Sequence, residues 1–167
     1  MCKVDERGSM EPRIVVQQAG PGEFERVGQL IYELLAELYP DLGYKRNVCV
    51  DTARTLLTDR DGVWSFLATT HDDRDVGVVM LNECAAIYAG GRFGEISELY
   101  VVPDARSKNV GSLLTEAVVA FGRKREWPFI EVGAPSVPAW QRTVDFYLKH
   151  GFEEIGPRLY LTLDSPK

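Results

Sequence analysis

The sequence has little of what metal centres and nucleic-acid-binding proteins require. It holds three cysteines and two histidines, and no CxxC pair occurs, so the pattern indicates neither a zinc site nor a redox dithiol. Lysine and arginine number 19 against 25 aspartates and glutamates. The net charge of -6 gives the chain no general attraction for phosphate backbones. We therefore expect no metal and no nucleic-acid partner.

Long apolar runs are also missing. No stretch reaches the roughly 18 to 20 apolar residues that a membrane span needs, and the polar start over 1–13 is unlike a signal peptide. Unpaired cysteines suit a reducing compartment. We expect a cytoplasmic protein with no membrane partner. Its composition, 45% hydrophobic and 26% charged, is typical of a chain that folds around one core.

The N-terminal part of the chain predicts one strand and two helices. Residues 1–11 show no periodic apolar pattern, so we expect a disordered extension or a cloning remnant, and a single domain over 12–164. A short strand over 13–19 precedes an amphipathic helix over 24–38, in which apolar residues recur every three or four positions. A weaker helical stretch covers 47–57.

The rest of the chain predicts a sheet with further helices. Three β-rich runs, over 63–70, 76–84 and 93–102, have short polar links and predict an antiparallel meander. The later elements are a helix over 110–126, a strand over 129–132, a helix over 137–149, and a strand pair over 151–155 and 159–163. This order predicts an α+β, layered α/β fold. Its central sheet is mixed and mainly antiparallel, with six to seven strands flanked by about four helices.

The segment 95–112 carries the clearest chemical signal. It is a predicted strand, a loop with the cations Arg106 and Lys108, and the start of an amphipathic helix. Such a loop directs unpaired N–H groups and the positive end of the helix dipole to one point, which suits a phosphate or pyrophosphate. Gly111 lets a ligand approach the backbone closely. A surface turn with two solvated cations is the alternative interpretation.

Two motifs resemble those of the GNAT family of N-acetyltransferases. Residues 106–111 resemble the family's coenzyme A loop, [Q/R]-x-x-G-x-[G/A], with Asn109 where the first glycine usually stands. Asparagine tolerates a left-handed backbone better than most residues. Later in the chain, 145–152 resembles the family's F-Y-x-x-x-G-F segment. The resemblance covers 12–164, and its specific content lies in 95–152.

The resemblance implies an N-acetyltransferase that moves an acetyl group from acetyl-CoA, its co-substrate, directly to a primary amine without a metal. A small-molecule amine is the implied acceptor, and a homodimer is compatible with the family. Two alternatives stay open: acetylation of a protein or peptide amine, and a non-catalytic acyl-CoA-binding sensor. The N-terminal half also contains an aromatic and acidic set that is either an acceptor-binding surface or a solvated helix face: Tyr32, Glu33, Glu37, Tyr39, Asp41 and Tyr44.

The resemblance also assigns residue roles. Tyr147 is the implied general acid for the departing thiolate, with a packing role as the alternative, and Glu98 is the leading base, with Glu95 or a water chain as alternatives. In a regular strand Glu95 and Glu98 point to opposite faces, whereas a bulge reverses that assignment. The resemblance further implies that the backbone of 99–102 pairs with the pantetheine arm and that one of its N–H groups polarises the thioester carbonyl. The implied coenzyme contacts are Leu99, Tyr100, Val101, Val102, Arg106, Ser107, Lys108, Asn109, Val110, Gly111, Ser112 and Tyr147.

Overall fold

The structure, a computed structural model, describes residues 13–59, 61–159 and 161. These residues divide into two units, Met1–Val132 and Gly133–Lys167. The extension predicted at 1–11 lies outside the described residues. A single domain over 12–164 stays a prediction.

The first unit is built on one mixed sheet with the strand order β1-β2-β3-β4-β5. Neighbours among the first four strands are antiparallel, and β5 runs parallel to β4. The predicted meander and the mainly antiparallel character are therefore confirmed. The strands are β1 (Ile14–Gln18), β2 (Val63–Thr70), β3 (Asp75–Ala86), β4 (Gly91–Val101) and β5 (Ile130–Val132).

The prediction of six to seven strands was wrong, because the described residues form a sheet of five. The run predicted over 151–155 is not a strand, and most of the run predicted over 159–163 lies outside the described residues. Local geometry explains the first failure. Gly156 has a φ of 133°, and Pro157 has no N–H to donate to a ladder. The apolar Ile155 consequently stays 80% exposed.

The described residues form four α-helices, in line with the prediction of about four. They are α1 (Phe24–Leu38), α2 (Arg46–Asp59) and α3 (Val110–Lys124) in the first unit, and α4 (Gln141–Lys149) in the second. α1 and α2 cross closely at Gly28, where an added Cβ would lie 2.5 Å from Val50 Cα. α4 begins at Gln141 rather than at the predicted 137. Among the described residues, no helix is both long and apolar enough to cross a membrane.

The helices of the first unit cover different faces of the sheet. An added Cβ at Gly77 of β3 would meet the side chains of Val110 and Leu114 at 3.0 Å, so this face lies under α3. Tyr100 of β4 pairs with the residue that follows Gly77, and it therefore lies on the opposite face. There burial raises the pKa of Tyr100, and the nearby charges of Glu33 and Glu37 on α1 raise it further. We call the two sides the α3 face and the α1 face.

A buried carboxylate anchors the α3 face. The Glu83 side chain is only 5% exposed and accepts hydrogen bonds from Arg92 at 2.6 Å, Arg125 at 2.7 Å and Trp127 at 2.9 Å. Burial alone would raise the pKa of Glu83, but the bonds from Arg125, Trp127 and Arg92 outweigh it and lower that pKa. Glu83 thereby joins β3, β4 and the chain that follows α3.

Candidate active site

A β-bulge interrupts β4 at Ser97. In the register between β3 and β4, Met80 is opposite Glu98 and Leu81 is opposite Ile96, so Ser97 is an extra residue on β4. The bulge bends the strand just before the stretch that the family resemblance assigns to the coenzyme.

The bulge determines which face the two candidate bases occupy. Glu95 pairs with Asn82 and Glu98 pairs with Met80. Asn82 and Met80 are two positions apart on the same strand, so both glutamates lie on one face, the α1 face. A regular strand would have separated them. Glu95 therefore remains a structural alternative to Glu98 as the base.

The environment of Glu98 makes its carboxylate more basic than a solvated one. Burial raises the pKa of the Glu98 carboxyl, and a hydrogen bond donated by the Ser97 hydroxyl offsets only part of that rise. A carboxylate with a raised pKa accepts a proton more readily than a solvated one. The half-buried position of Glu98 on the α1 face thus supports its predicted role.

Beyond the bulge, β4 runs on without β5 beside it. The parallel ladder between the two strands ends where Ile96 pairs with Val132. The next residues of β4 still pair with β3, through Val101 opposite Gly77. One edge of β4 after Ser97 is therefore outside the described ladder.

That edge directs two backbone N–H groups away from β3. Val102 N–H donates to Val76 C=O on β3 at 3.1 Å. Alternate residues of an antiparallel strand direct their N–H groups to the same neighbour, so the N–H groups of Leu99 and Val101 point to the other side. The carbonyl of Val101 also points there, and it accepts a bond from Arg106 Nε at 2.9 Å. Two donors for an extended ligand thus follow the bulge.

The loop that leads into α3 has the backbone shape that the coenzyme motif requires. Ser107 and Asn109 both have a φ of 65°, and Asn109 is the N-cap residue of α3. Asn109, which stands where the family usually has its first glycine, thus adopts the left-handed backbone that asparagine tolerates better than most residues. Within the described loop and helix, the first α3 bond runs from Leu113 N–H to Asn109 C=O at 3.1 Å. The N–H groups of Val110 and Gly111 precede that bond and have no acceptor in the helix.

The side chains of the two loop cations differ in direction. Arg106 Nη2 donates to Glu37 Oε2 at 2.5 Å, and the guanidinium carbon lies 5.7 Å from the centroid of the Tyr100 ring. The guanidinium of Arg106, which the motif predicts at a phosphate, is therefore paired with Glu37 of α1 in this structure. Lys108 is exposed and lies near Asp104, whose pKa it helps to lower after the larger effect of Arg74.

Tyr147 belongs to the second unit, on α4. Its side chain is buried, with ring centroids 5.3 Å from those of Phe146 and Phe152. Burial raises the pKa of Tyr147 to about 12, so the phenol keeps its proton at neutral pH, as a general acid must. Gly151 follows α4 with a φ of 84°, the left-handed conformation that favours glycine after the end of a helix.

The structure thus brings together Glu98, the outer edge of β4 and the loop before α3 within the first unit. Sequence reasoning did not find the pairing of Glu37 with Arg106, which are 69 positions apart. The signal available for Glu37 was its acidic character on an amphipathic helix, and that signal does not identify a partner.

A family model described as "Acetyltransferase (GNAT) domain" matches residues 62–154, more than half of the chain. The match includes the bulged strand, the loop before α3, and α4. No curated protein matches the chain.

Three solved structures have the same fold at low identity. A possible acetyltransferase from Clostridium difficile 630 has a TM-score of 0.78 at 16% identity, with 93% of this chain and 100% of that chain covered. The ribosomal-protein-alanine N-acetyltransferase from Brucella melitensis biovar Abortus 2308 has a TM-score of 0.71 at 20% identity, with 90% and 99% covered. The aminoglycoside N-acetyltransferase AAC(6')-Iy in complex with CoA has a TM-score of 0.73 at 16% identity, with 93% and 97% covered.

Proposed function

Because the chain belongs to the GNAT acetyltransferase family, we propose that it transfers an acetyl group from acetyl-CoA directly to a primary amine of a small molecule. One observation carries the proposal. The edge of β4 that leaves the ladder with β5 presents the N–H groups of Leu99 and Val101, and it leads within a few residues to the left-handed turn at the start of α3. The pantetheine arm of acetyl-CoA could therefore bind along this edge, with the pyrophosphate at the adjacent turn.

In the proposed complex, the loop before α3 holds the pyrophosphate of acetyl-CoA. The N–H groups of Val110 and Gly111 and the positive end of the helix dipole supply the attraction, with Lys108 adding a charge. Each charge-assisted hydrogen bond of this kind contributes roughly 1.5 to 3 kcal/mol. The proposed coenzyme contacts are Leu99, Tyr100, Val101, Val102, Ser107, Lys108, Asn109, Val110, Gly111, Ser112 and Tyr147, whereas the side chain of Arg106, which the resemblance also assigns to the coenzyme, is paired with Glu37.

The chemistry of the transfer divides among three groups of the chain. Glu98 takes a proton from the acceptor amine, directly or through water, and Glu95 on the same face is the alternative base. The amine nitrogen then bonds to the thioester carbonyl carbon while the N–H of Leu99 stabilises the charge that develops on the carbonyl oxygen. The carbon–sulfur bond breaks, and Tyr147 donates its phenolic proton to the sulfur.

The acceptor is proposed from charge. Four carboxylates, those of Glu33 and Glu37 on α1 and of Glu95 and Glu98 on β4, belong to the α1 side of the sheet, which favours a cationic amine. Solved structures of the same fold include an aminoglycoside N-acetyltransferase and a ribosomal-protein-alanine N-acetyltransferase, so a protein amine is the second candidate. The cytoplasmic location and a homodimer belong to this proposal and rest on composition and family likeness.

The test is detection of free thiol from acetyl-CoA with a panel of amines: aminoglycosides, polyamines, amino acids and peptides with a free N-terminus. We expect thiol release with at least one cationic small molecule, and release dominated by peptides would favour the second candidate. Calorimetry of acetyl-CoA binding runs in parallel. Binding without thiol release across the whole panel would contradict the enzyme and support a non-catalytic acyl-CoA sensor.

A further inference from the structure

One ion pair joins the loop before α3 to the first helix. Arg106 Nη2 donates to Glu37 Oε2 at 2.5 Å, and Glu37 is the penultimate residue of α1 (Phe24–Leu38). The two side chains are 33% and 32% exposed. Hydrogen bonding to Glu37 is the largest cause of the raised pKa of Arg106, so the cation is fully charged and paired. The pair therefore constrains the C-terminal end of α1.

The same guanidinium also contacts β4. Arg106 Nε donates to Val101 C=O at 2.9 Å, and the guanidinium carbon lies 5.7 Å from the Tyr100 ring centroid. A planar guanidinium with its donors in a fixed fork can hold two acceptors in one orientation and still stack on a ring. Arg106 thus fixes α1 relative to the end of β4.

The part of α1 that Arg106 constrains is the part that meets the face of the proposed base. Burial raises the pKa of Tyr100, and the nearby charges of Glu33 and Glu37 raise it further. Tyr100 and Glu98 are two positions apart on β4 beyond the bulge, so they share the α1 face. The C-terminal half of α1 therefore stands against the surface where the acceptor amine would approach Glu98.

We propose that Arg106 is a positioning residue for the acceptor amine and that its side chain is not a phosphate ligand. It acts through Glu37 and Tyr100, by holding the C-terminal half of α1 against the α1 face of β4. This inference rests on the proposed acetyl transfer, because it concerns the acceptor side of that site.

A phosphate-binding role for Arg106 predicts a different effect of Glu37→Gln on acetyl-CoA binding. If Arg106 binds phosphate and Glu37 competes for its guanidinium, then Glu37→Gln frees the guanidinium and acetyl-CoA binds more tightly. If Arg106 positions α1, then Glu37→Gln loosens the acceptor side and leaves acetyl-CoA binding unchanged. Whether the Kd of acetyl-CoA falls or stays constant in Glu37→Gln separates the two roles.

The experiment compares Glu37→Gln, Arg106→Gln and the double variant. Arg74→Gln is the matched control, because it removes the pair of 2.7 Å bonds between Arg74 and Asp104, an ion pair of the same loop that includes no residue of α1. The Kd of acetyl-CoA is measured by calorimetry, and kcat and KM are measured for the best amine of the panel. Melting temperatures establish that each variant is folded.

We expect each single variant to raise the KM for the amine about threefold to tenfold, with kcat and the Kd of acetyl-CoA within about twofold of the parent. The double variant should be no worse than the single ones, since both remove the same interaction. Arg74→Gln should match the parent. Tighter acetyl-CoA binding in Glu37→Gln would overturn the proposal, as would weaker acetyl-CoA binding in Arg106→Gln with an unchanged KM for the amine.

Hydrogen exchange supplies a readout that needs no turnover. In the protein without ligands, amides of residues 33–38 should exchange faster in Arg106→Gln and Glu37→Gln than in Arg74→Gln. Equal exchange in all of them would show that the pair does not hold α1, and the proposal would fall. If the parent protein releases no thiol with any amine, the acetyltransferase proposal fails on that result, and the exchange measurement alone decides whether Arg106 holds α1.

Discussion

Substitution of Leu99 by proline tests whether the backbone N–H of Leu99 takes part in the proposed reaction. Proline removes the backbone N–H, which at Leu99 points away from β3 and is outside the ladder with β5. The sheet therefore loses no hydrogen bond between strands, and proline is tolerated on a strand edge of this kind. Proline also favours an extended conformation in the preceding residue, which Glu98 already has in β4.

The expected magnitude follows from the role of that N–H. If it stabilises the charge on the thioester oxygen, its loss should lower kcat by about 10²- to 10³-fold, the cost of removing one oxyanion donor. Affinity for acetyl-CoA should fall by about tenfold at most, since one neutral hydrogen bond contributes about 0.5 to 1.5 kcal/mol. The reaction step should thus suffer more than the binding step.

The assay is thiol release under saturating acetyl-CoA, with calorimetry for binding. Leu99→Ala is the matched control, because it shortens the side chain and keeps the N–H. If both variants are folded and their kcat values agree within about threefold, the N–H of Leu99 does not stabilise the reaction. In that case Val101→Pro, which removes the next N–H on the same edge, becomes the test of whether any donor of this edge takes part.

Three further predictions concern single side chains. Because burial raises the pKa of Glu98, kcat/KM of the parent should fall as the pH drops through that raised pKa. Glu98→Gln should lower kcat/KM by about 10²- to 10⁴-fold and should not show this decrease at low pH. If the pH profile of the variant equals that of the parent, the base is Glu95 or water. Tyr147→Phe should lower kcat by about 10²- to 10⁴-fold with little change in melting temperature or acetyl-CoA affinity, whereas retention of kcat within about threefold would make Tyr147 a packing residue. Glu83→Gln should lower the free energy of unfolding by about 1.5 to 3 kcal/mol at neutral pH, measured by urea denaturation. Since the pKa of Glu83 is lowered in the folded protein, this stabilisation is present above the ordinary glutamate pKa of 4.5 and is lost as the pH falls through the folded pKa, so parent and variant should converge in acid.

Local patterns in the sequence were sufficient for the order of the elements and for the family. The helix predicted over 24–38 matches α1, because an apolar stripe at helical spacing is a property of the segment itself. The strand predicted over 63–70 matches β2, because a run of β-rich residues is likewise a property of the segment itself. The left-handed backbone at Asn109 also follows from residue type and position in a short motif. The strand predicted over 151–155 did not form, because Gly156 and Pro157 interrupt the extended backbone directly after it, and most of the run predicted over 159–163 lies outside the described residues.

Tertiary structure alone decided how the candidate site is arranged. The extra residue at Ser97 is visible only in the register against β3, and it places Glu95 and Glu98 on one face where alternation predicted two. The pairing of Arg106 with Glu37 depends on how the first helix packs on the sheet, which brings together residues 69 positions apart. Side-chain chemistry and short-range spacing can be determined from the sequence alone. Register and long-range charge pairing arise only when the elements pack, because many distant partners are chemically equivalent until the fold selects one.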